Sequence, residues 1–129
     1  MLHPLNLRTL GVATLLALTV LGAGIAFAAA PAKGNAAAGK PLFTTKCVAC
    51  HKADGSGGVK LTGNPTPNWK DPKTWADPKR KDVDAFMRDC ITNGKIKSGM
   101  VAWGKTGQLK PQQIEDLIAY IHTLAPKKK

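Results

Sequence analysis

The stretch Cys47-Val48-Ala49-Cys50-His51 is the strongest fold-determining signal in this chain. C-x-x-C-H is the sequence form of covalent haem attachment. Two cysteines three positions apart fall on one side of a helical turn, so both thiols can reach the two vinyl groups on one edge of a porphyrin. His51 is then carried under the iron as an axial ligand. The stretch predicts one covalently bound haem c with its iron, attached through Cys47 and Cys50.

Two other uses of paired cysteines compete with this interpretation. A closed zinc site needs four ligands, usually supplied as two spaced pairs. The remaining candidates, Cys90, His122 and the carboxylates, form no second pair at ligand spacing. A redox dithiol of the thioredoxin type should begin a helix within a βαβ pattern, and this chain has little strand signal. Zinc and dithiol chemistry remain the alternatives.

The first 30 residues differ from the rest of the chain. Arg8 is the only charged side chain before Lys33, and residues 9–30 form an uncharged, mostly apolar run with an alanine-rich end. A positive start, an apolar middle and a small-residue end are typical of an export signal. Residues 1–30 are therefore predicted as a signal peptide and residues 31–129 as the haem domain, located in the periplasm. Because about 20 apolar residues can span a bilayer, an uncleaved anchor in the inner membrane is the alternative.

The chain is strongly basic. It has 19 basic and 8 acidic residues, and removing Arg8 with the signal leaves 18 basic residues and a net charge of +10. Such a charge favours nucleic acid, an anionic membrane or an acidic protein as partner. The lysines are scattered with no repeated aromatic platform, so nucleic acid is not expected and acidic redox proteins are favoured. Several lysines close in sequence to the haem ligands serve either solubility or partner steering: Lys46, Lys52, Lys95, Lys97 and Lys105.

Three stretches predict helices. Asn35 is a plausible N-cap for a helix that runs to about Cys47 and buries Leu42 and Phe43. Pro41 either kinks this helix or marks its first position. The second helix covers residues 83–93, from the Asp82 cap to Gly94, and the third begins at Pro111. Their apolar faces are, in order, Val83, Phe86, Met87 and Cys90, then Ile114, Leu117, Ile118, Ile121 and Leu124.

Residues 52–81 are rich in glycine and proline and carry no strong helix pattern. A loop of this length inside a compact domain normally wraps around something, and a haem is a good candidate. Three tryptophans are expected to form core or haem wall: Trp69, Trp75 and Trp103.

From about residue 34 to 125 the chain resembles the class I cytochromes c, which are small monohaem electron carriers. The resemblance is carried by the C-x-x-C-H stretch, by Gly39 and Phe43 on the first helix, and by Ser98-Gly99-Met100-Val101-Ala102-Trp103-Gly104. It implies an all-α fold with three to four helices around one haem. It also implies that the N- and C-terminal helices cross, with Gly39 and Phe43 packed near Tyr120.

The resemblance implies that Met100 is the second axial iron ligand. Its thioether is soft and suits haem iron. Val101 stands where the family usually has proline, so the ligand loop is expected to be less rigid. The family also implies that a proline carbonyl, from Pro65 or Pro67, accepts a hydrogen bond from the His51 ring.

The other candidate ligands have simpler interpretations. Met87 is on a helix stripe and is expected in the core, and His122 beside the last stripe is expected at the surface. Cys90 is either a buried apolar thiol or, as an odd cysteine in an exported chain, a residue for an intermolecular disulfide.

The sequence therefore predicts a monomeric electron carrier and not an enzyme. An iron with both axial positions filled by His51 and Met100 has no open position for a substrate. The alternative is a haem c subunit of a larger membrane or periplasmic redox complex. Contact with a membrane is expected only through such a complex or through an uncleaved signal.

Overall fold

A computed structural model describes residues 30–127, in which the regular structure is helical apart from one isolated β-bridge. Three helices are long: α1 (Ala36–Lys46), α4 (Val83–Asn93) and α5 (Pro111–Thr123). Two are single turns: α2 (Val48–His51) and α3 (Pro72–Trp75). The all-α prediction is confirmed, with single-turn helices added to the three long ones. The predicted export signal lies outside the described residues except for Ala30.

Helix α1 begins where the Asn35 cap predicts. The Asn35 side chain accepts hydrogen bonds from the backbone N–H groups of Ala37, at 2.9 Å, and Ala38. Pro41 lies inside the helix, so the interpretation of this proline as the first helical position is wrong. The cap fixes the start more than one turn earlier, and buried Phe43 beyond the proline holds the helix in place.

Helices α1 and α5 cross at close range, as predicted. A Cβ atom built on Gly39 would overlap the backbone of Asp116 and Leu117, so only glycine permits this approach. The rings of Phe43 and Tyr120 lie 5.2 Å apart between centroids. Phe43 is 1% and Leu117 0% exposed, so the crossing is the centre of the core.

Helix α4 packs on α5 through most of its predicted face. Met87, Cys90 and Ile91 are buried, whereas Phe86 is 36% exposed and does not belong to the core. The Phe86 ring lies beneath the cationic groups of Arg80 and Lys95, at 4.5 and 5.3 Å from its centroid. These cation–π contacts explain how an aromatic ring on the apolar face remains at the surface.

Helix α5 buries the stripe that its periodicity predicts. Ile114, Leu117, Ile118 and Ile121 are buried, and Leu124 is half-buried. Within residues 30–127, no helix combines the length and apolar character needed to cross a bilayer.

Candidate haem site

One cavity of about 490 Å³ opens between the helices and the long loops. This volume lies within the range of about 300 to 1,000 Å³ that cofactor and ligand pockets have. All four predicted site residues line it: Cys47, Cys50, His51 and Met100. The structure thus brings the attachment motif and the predicted second ligand to the same cavity, although residues 52–99 separate them in the sequence.

The attachment motif occupies a single helical turn. Cys47 is the N-cap of α2, and the His51 N–H donates to the Cys47 carbonyl at 2.9 Å. Lys52 ends the turn with φ of 60° and ψ of 153°, a backbone conformation that residues other than glycine rarely adopt. Burial raises the pKa of the Cys47 thiol to about 11, with nearby Lys46 opposing the shift.

His51 is the most constrained of the site residues. The residue is 8% exposed, and its ring stacks on Trp69 with 4.6 Å between centroids and 11° between planes. Burial lowers the pKa of His51 to about 4. The imidazole is therefore neutral at physiological pH, which is the form that binds a metal.

The predicted hydrogen bond between the His51 ring and a proline carbonyl is not formed. Among buried side-chain atoms of residues 30–127, the Nδ1 atom of His51 has no hydrogen-bond partner. The Pro67 carbonyl oxygen lies beside Gly57, 2.0 Å from the position that a Cβ atom on this glycine would take. Stacking on Trp69, rather than a hydrogen bond donated to a proline carbonyl, orients the ring.

These observations fit a haem. An orphaned polar atom at a buried imidazole costs about 1–3 kcal/mol, so His51 is incompletely satisfied by the polypeptide. The cavity walls are mainly apolar, including Trp69, Trp75 and Leu117, as a macrocycle requires. Cys47 and Cys50 would hold the group covalently, and His51 and Met100 would be its iron ligands.

The Met100 segment is closed by a β-bridge. The N–H of Lys95 donates to the carbonyl of Met100 at 3.1 Å, and the N–H of Met100 donates back at 3.2 Å. A short 3-10 turn, Ile96–Ser98, and Gly99 with φ of 82° complete the loop. Backbone pairing therefore orders the loop that lacks the family proline at Val101.

Other predicted candidates have the places expected of them. Met87 and Cys90 are buried and also line the cavity, and burial raises the pKa of the Cys90 thiol. A buried thiol fits packing better than an intermolecular disulfide. His122 is exposed, and its Nε2 lies 2.6 Å from the Asp84 carboxylate, outside the cavity lining.

The alternative uses of the paired cysteines find no counterpart in the described residues. Within residues 30–127, no three His, Cys, Asp or Glu side chains are grouped to hold a metal ion. The same residues form no strand that a thioredoxin-like βαβ pattern would need.

Two cationic residues belong to the cavity wall, of which sequence reasoning named Lys95 and missed Arg80. Arg80 and Lys95 line the cavity beside Phe86, and each pairs with an aspartate, Asp77 at 3.2 Å and Asp89 at 3.5 Å. Arg80 follows a proline-rich loop and had no helical pattern to mark its position. Trp103, predicted for the wall, lies beneath the Lys46 ammonium at 4.9 Å.

A helical domain that gathers a C-x-x-C-H turn and a methionine loop around one apolar cavity is a c-type haem protein. The model of the cytochrome c family matches residues 36–125. The chain belongs to the cytochrome c family, carries one covalently bound haem c with its iron, and is an electron carrier and not an enzyme.

Similar proteins include two cytochromes c6. The protein of Limnospira maxima is 34% identical over 94 residues, which cover 73% of this chain and 98% of the relative. That of Rippkaea orientalis is 38% identical over 88 residues, or 68% of this chain and 69% of the relative.

A third relative is a much longer protein. The cbb3-type cytochrome c oxidase subunit FixP of a Bradyrhizobium species is 37% identical over 93 residues, or 70% of this chain. The match spans only 28% of the FixP length. No solved structure matched the chain.

Proposed function

We propose that this protein is an exported periplasmic carrier of single electrons whose haem iron is ligated by His51 and Met100. Cys47 and Cys50 form the thioether bonds. The observation that carries the proposal is that these four residues line one apolar cavity. The iron supplies the one-electron couple when haem is bound, and Met/His ligation raises its reduction potential.

Replacing each methionine of the cavity tests the ligand assignment. We expect the exported, haem-loaded protein to be low-spin, with the red absorption band of methionine-ligated ferric haem. Met100→Ala should lose this band and bind cyanide rapidly. Met87→Leu is the matched control because Met87 lines the same cavity but belongs to the core. A Met100→Ala spectrum identical to the wild type, or loss of the band in Met87→Leu alone, would reject Met100 as ligand.

The attachment residues are tested by mass. The wild-type protein should gain the mass of one haem that survives denaturation. Replacing both Cys47 and Cys50 with alanine should abolish this gain. Since Cys90 remains as the only cysteine of that variant, covalent haem retained in it would show that the attachment site is assigned wrongly.

The proposed partners are redox proteins with acidic surfaces. Four of the eight carboxylates of the chain form ion pairs with lysine or arginine within residues 30–127: Asp54, Asp77, Asp89 and Glu115. Lys46 and Lys97, by contrast, form no ion pair there. The outward field near the cavity is therefore positive, which would speed association with an acidic protein.

Exposed apolar side chains lie in the same region as these lysines. Leu61, Phe86 and Val101 line the cavity, and Ile96 next to Lys97 is 70% exposed. We define these four residues with Lys46 and Lys97 as the docking face. An apolar centre with a charged rim is the composition of a transient protein interface.

A carboxylate-terminated electrode provides a simple acidic partner. Lys97→Glu on the docking face should slow electron exchange with this electrode and weaken its dependence on salt. Lys33→Glu makes the same change of charge away from the cavity lining and serves as control. Equal slowing in both variants would mean that net charge, and not the docking face, controls the encounter.

Export is proposed on the pattern of residues 1–30. The periplasmic fraction should contain a protein whose first residue lies near Pro31, since the alanine-rich end precedes it. An intact N-terminus in the membrane fraction would instead favour the anchored form, which faces the periplasm from the inner membrane.

A second candidate function is a haem c subunit of a larger redox complex. The similarity to a subunit of cbb3-type cytochrome c oxidase favours it. Size-exclusion chromatography of a native extract distinguishes the two. A free monomeric haem protein supports the carrier, and elution of all the haem with a large complex supports the subunit.

A further inference from the structure

The loop formed by residues 59–66 is closed at its base and attached to the haem-binding turn. The N–H of Thr66 donates to the Val59 carbonyl at 2.9 Å, and the N–H of Val59 donates to the Thr66 hydroxyl oxygen at 3.1 Å. The same hydroxyl donates to the carbonyl of Cys50 at 2.8 Å. The base of the loop is thus tied to α2.

The tip of the 59–66 loop contacts the segment that precedes Met100. The Thr62 hydroxyl donates to the Lys97 carbonyl at 2.8 Å. A Cβ atom on Gly63 would lie 2.7 Å from the Ser98 hydroxyl, and one on Gly99 would lie 2.9 Å from the Leu61 side chain. The two segments therefore pack with almost no space between them.

The hydrogen bond donated by Thr62 differs from the other hydrogen bonds of the Met100 loop in the distance along the chain that it spans. Within residues 30–127, the other hydrogen bonds of residues 96–99 stay inside the turn between Lys95 and Met100. The Thr62 bond is the one that joins this turn to a distant segment. That segment is in turn fixed to Cys50 through Thr66.

We propose that the 59–66 loop positions Met100 by connecting its segment to the haem-attachment turn. This inference rests on the proposed ligation by Met100. The contacts at Thr62, Gly63 and Leu61 hold the closed state of a loop that has Val101 in place of proline. Opening the loop must break the Thr62 bond and uncover Gly99, so these contacts oppose displacement of Met100 by an external ligand.

Imidazole binding to the haem-loaded ferric protein measures loop opening. Thr62→Val removes the hydroxyl while nearly keeping its shape, and we expect about fivefold tighter imidazole binding, the factor that corresponds to one hydrogen bond. Thr62→Ser keeps the hydroxyl and should bind imidazole like the wild type. Leu61→Ala should shift affinity in the same direction without altering any hydrogen bond.

Thr44→Val is the matched control. The Thr44 hydroxyl donates to the Lys40 carbonyl at 3.0 Å inside α1, remote in sequence from the Met100 loop. This variant should change overall stability without changing imidazole affinity. Equal affinity shifts in Thr44→Val and Thr62→Val would overturn the proposal, as would wild-type affinity in both Thr62→Val and Leu61→Ala.

Ligation by Met100 and its positioning by the 59–66 loop are distinguished by different measurements. A wild-type ferric spectrum without the methionine band would reject Met100 as ligand. A wild-type spectrum with that band, combined with unchanged imidazole affinity in the loop variants, would reject only the positioning role of the 59–66 loop.

Discussion

The two sides of the haem cavity are built by different means. On one side, α1 and α5 cross with backbone against backbone at Gly39 and bury Phe43 and Leu117 almost completely. On the other, loops hold the Met100 segment through a β-bridge and threonine hydroxyls. Close packing tolerates little change in volume, whereas loop contacts are few and individually modest. We therefore expect the helix crossing to contribute more to stability than the loop side does.

Adding one methyl group at the crossing should have the largest effect. In Gly39→Ala the new Cβ overlaps the Asp116 backbone, so the helices must separate, and we expect a loss of about 3 kcal/mol in the free energy of unfolding. Urea denaturation of the haem-loaded protein measures it. Gly58→Ala, on the loop side, meets no atom within 4 Å and should cost about 1 kcal/mol for its positive φ. Equal losses would contradict the contrast between the two sides.

The buried carboxylate of Asp116 should have the next largest effect. Its Oδ1 accepts from the Asn35 N–H at 2.8 Å and from the Gln112 side chain at 3.2 Å, which fixes the start of α1 on α5. Asp116→Ala leaves these donors unpaired and should cost about 2 kcal/mol. Asp116→Asn keeps an acceptor oxygen and should cost clearly less in the same urea titration. If the two variants are equally destabilised, the charge rather than the hydrogen bond matters.

The helix side could be predicted from the sequence because its signals are local. The Asn35 cap and the apolar stripe of α5 specify helices within a few residues. The crossing itself followed only from the family resemblance, since no periodicity pairs Gly39 with Asp116. The interpretation of Pro41 as the first helical position was wrong. The Asn35 cap and the burial of Phe43 outweigh the backbone hydrogen bond that a proline inside the helix cannot donate.

The loop side could be predicted only in outline. The glycine and proline content predicted that residues 52–81 are irregular. The hydrogen bonds of this segment could not be predicted, because their partners are distant in sequence. The bond from Thr62 to Lys97 spans 35 positions and has no local pattern. The expected proline acceptor for His51 was likewise wrong, because the family rule gives a residue type and not the position of its carbonyl.

Relieving backbone strain at Lys52, directly after the C-x-x-C-H stretch, should raise stability, whereas the two substitutions above lower it. Lys52 has a φ of 60° and a ψ of 153°, a conformation that costs a non-glycine residue about 1–3 kcal/mol. Lys52→Gly should therefore stabilise the protein by about 1 kcal/mol after the extra entropy of the unfolded glycine chain is subtracted. Lys52→Ala removes the charge but keeps Cβ, and it should show no gain in the thermal midpoint. A gain in both would assign the effect to charge.

The smallest expected effect is a pH dependence of stability that comes from Asp54, in the loop after the haem-attachment turn. Hydrogen bonds from Ser56, with a further contribution from Lys70, lower the pKa of Asp54 to about 2. Because the folded pKa is below the unfolded value, the stabilisation is complete above the unfolded pKa and is lost as the pH falls through the folded one. The gap in unfolding midpoint between wild type and Asp54→Asn should stay constant above about pH 5 and close towards pH 2. Lys70→Met, which removes the exposed ion pair but keeps the Ser56 bonds, should retain most of this dependence. A gap that vanishes in Lys70→Met would make the ion pair, and not the backbone of the loop, the main cause.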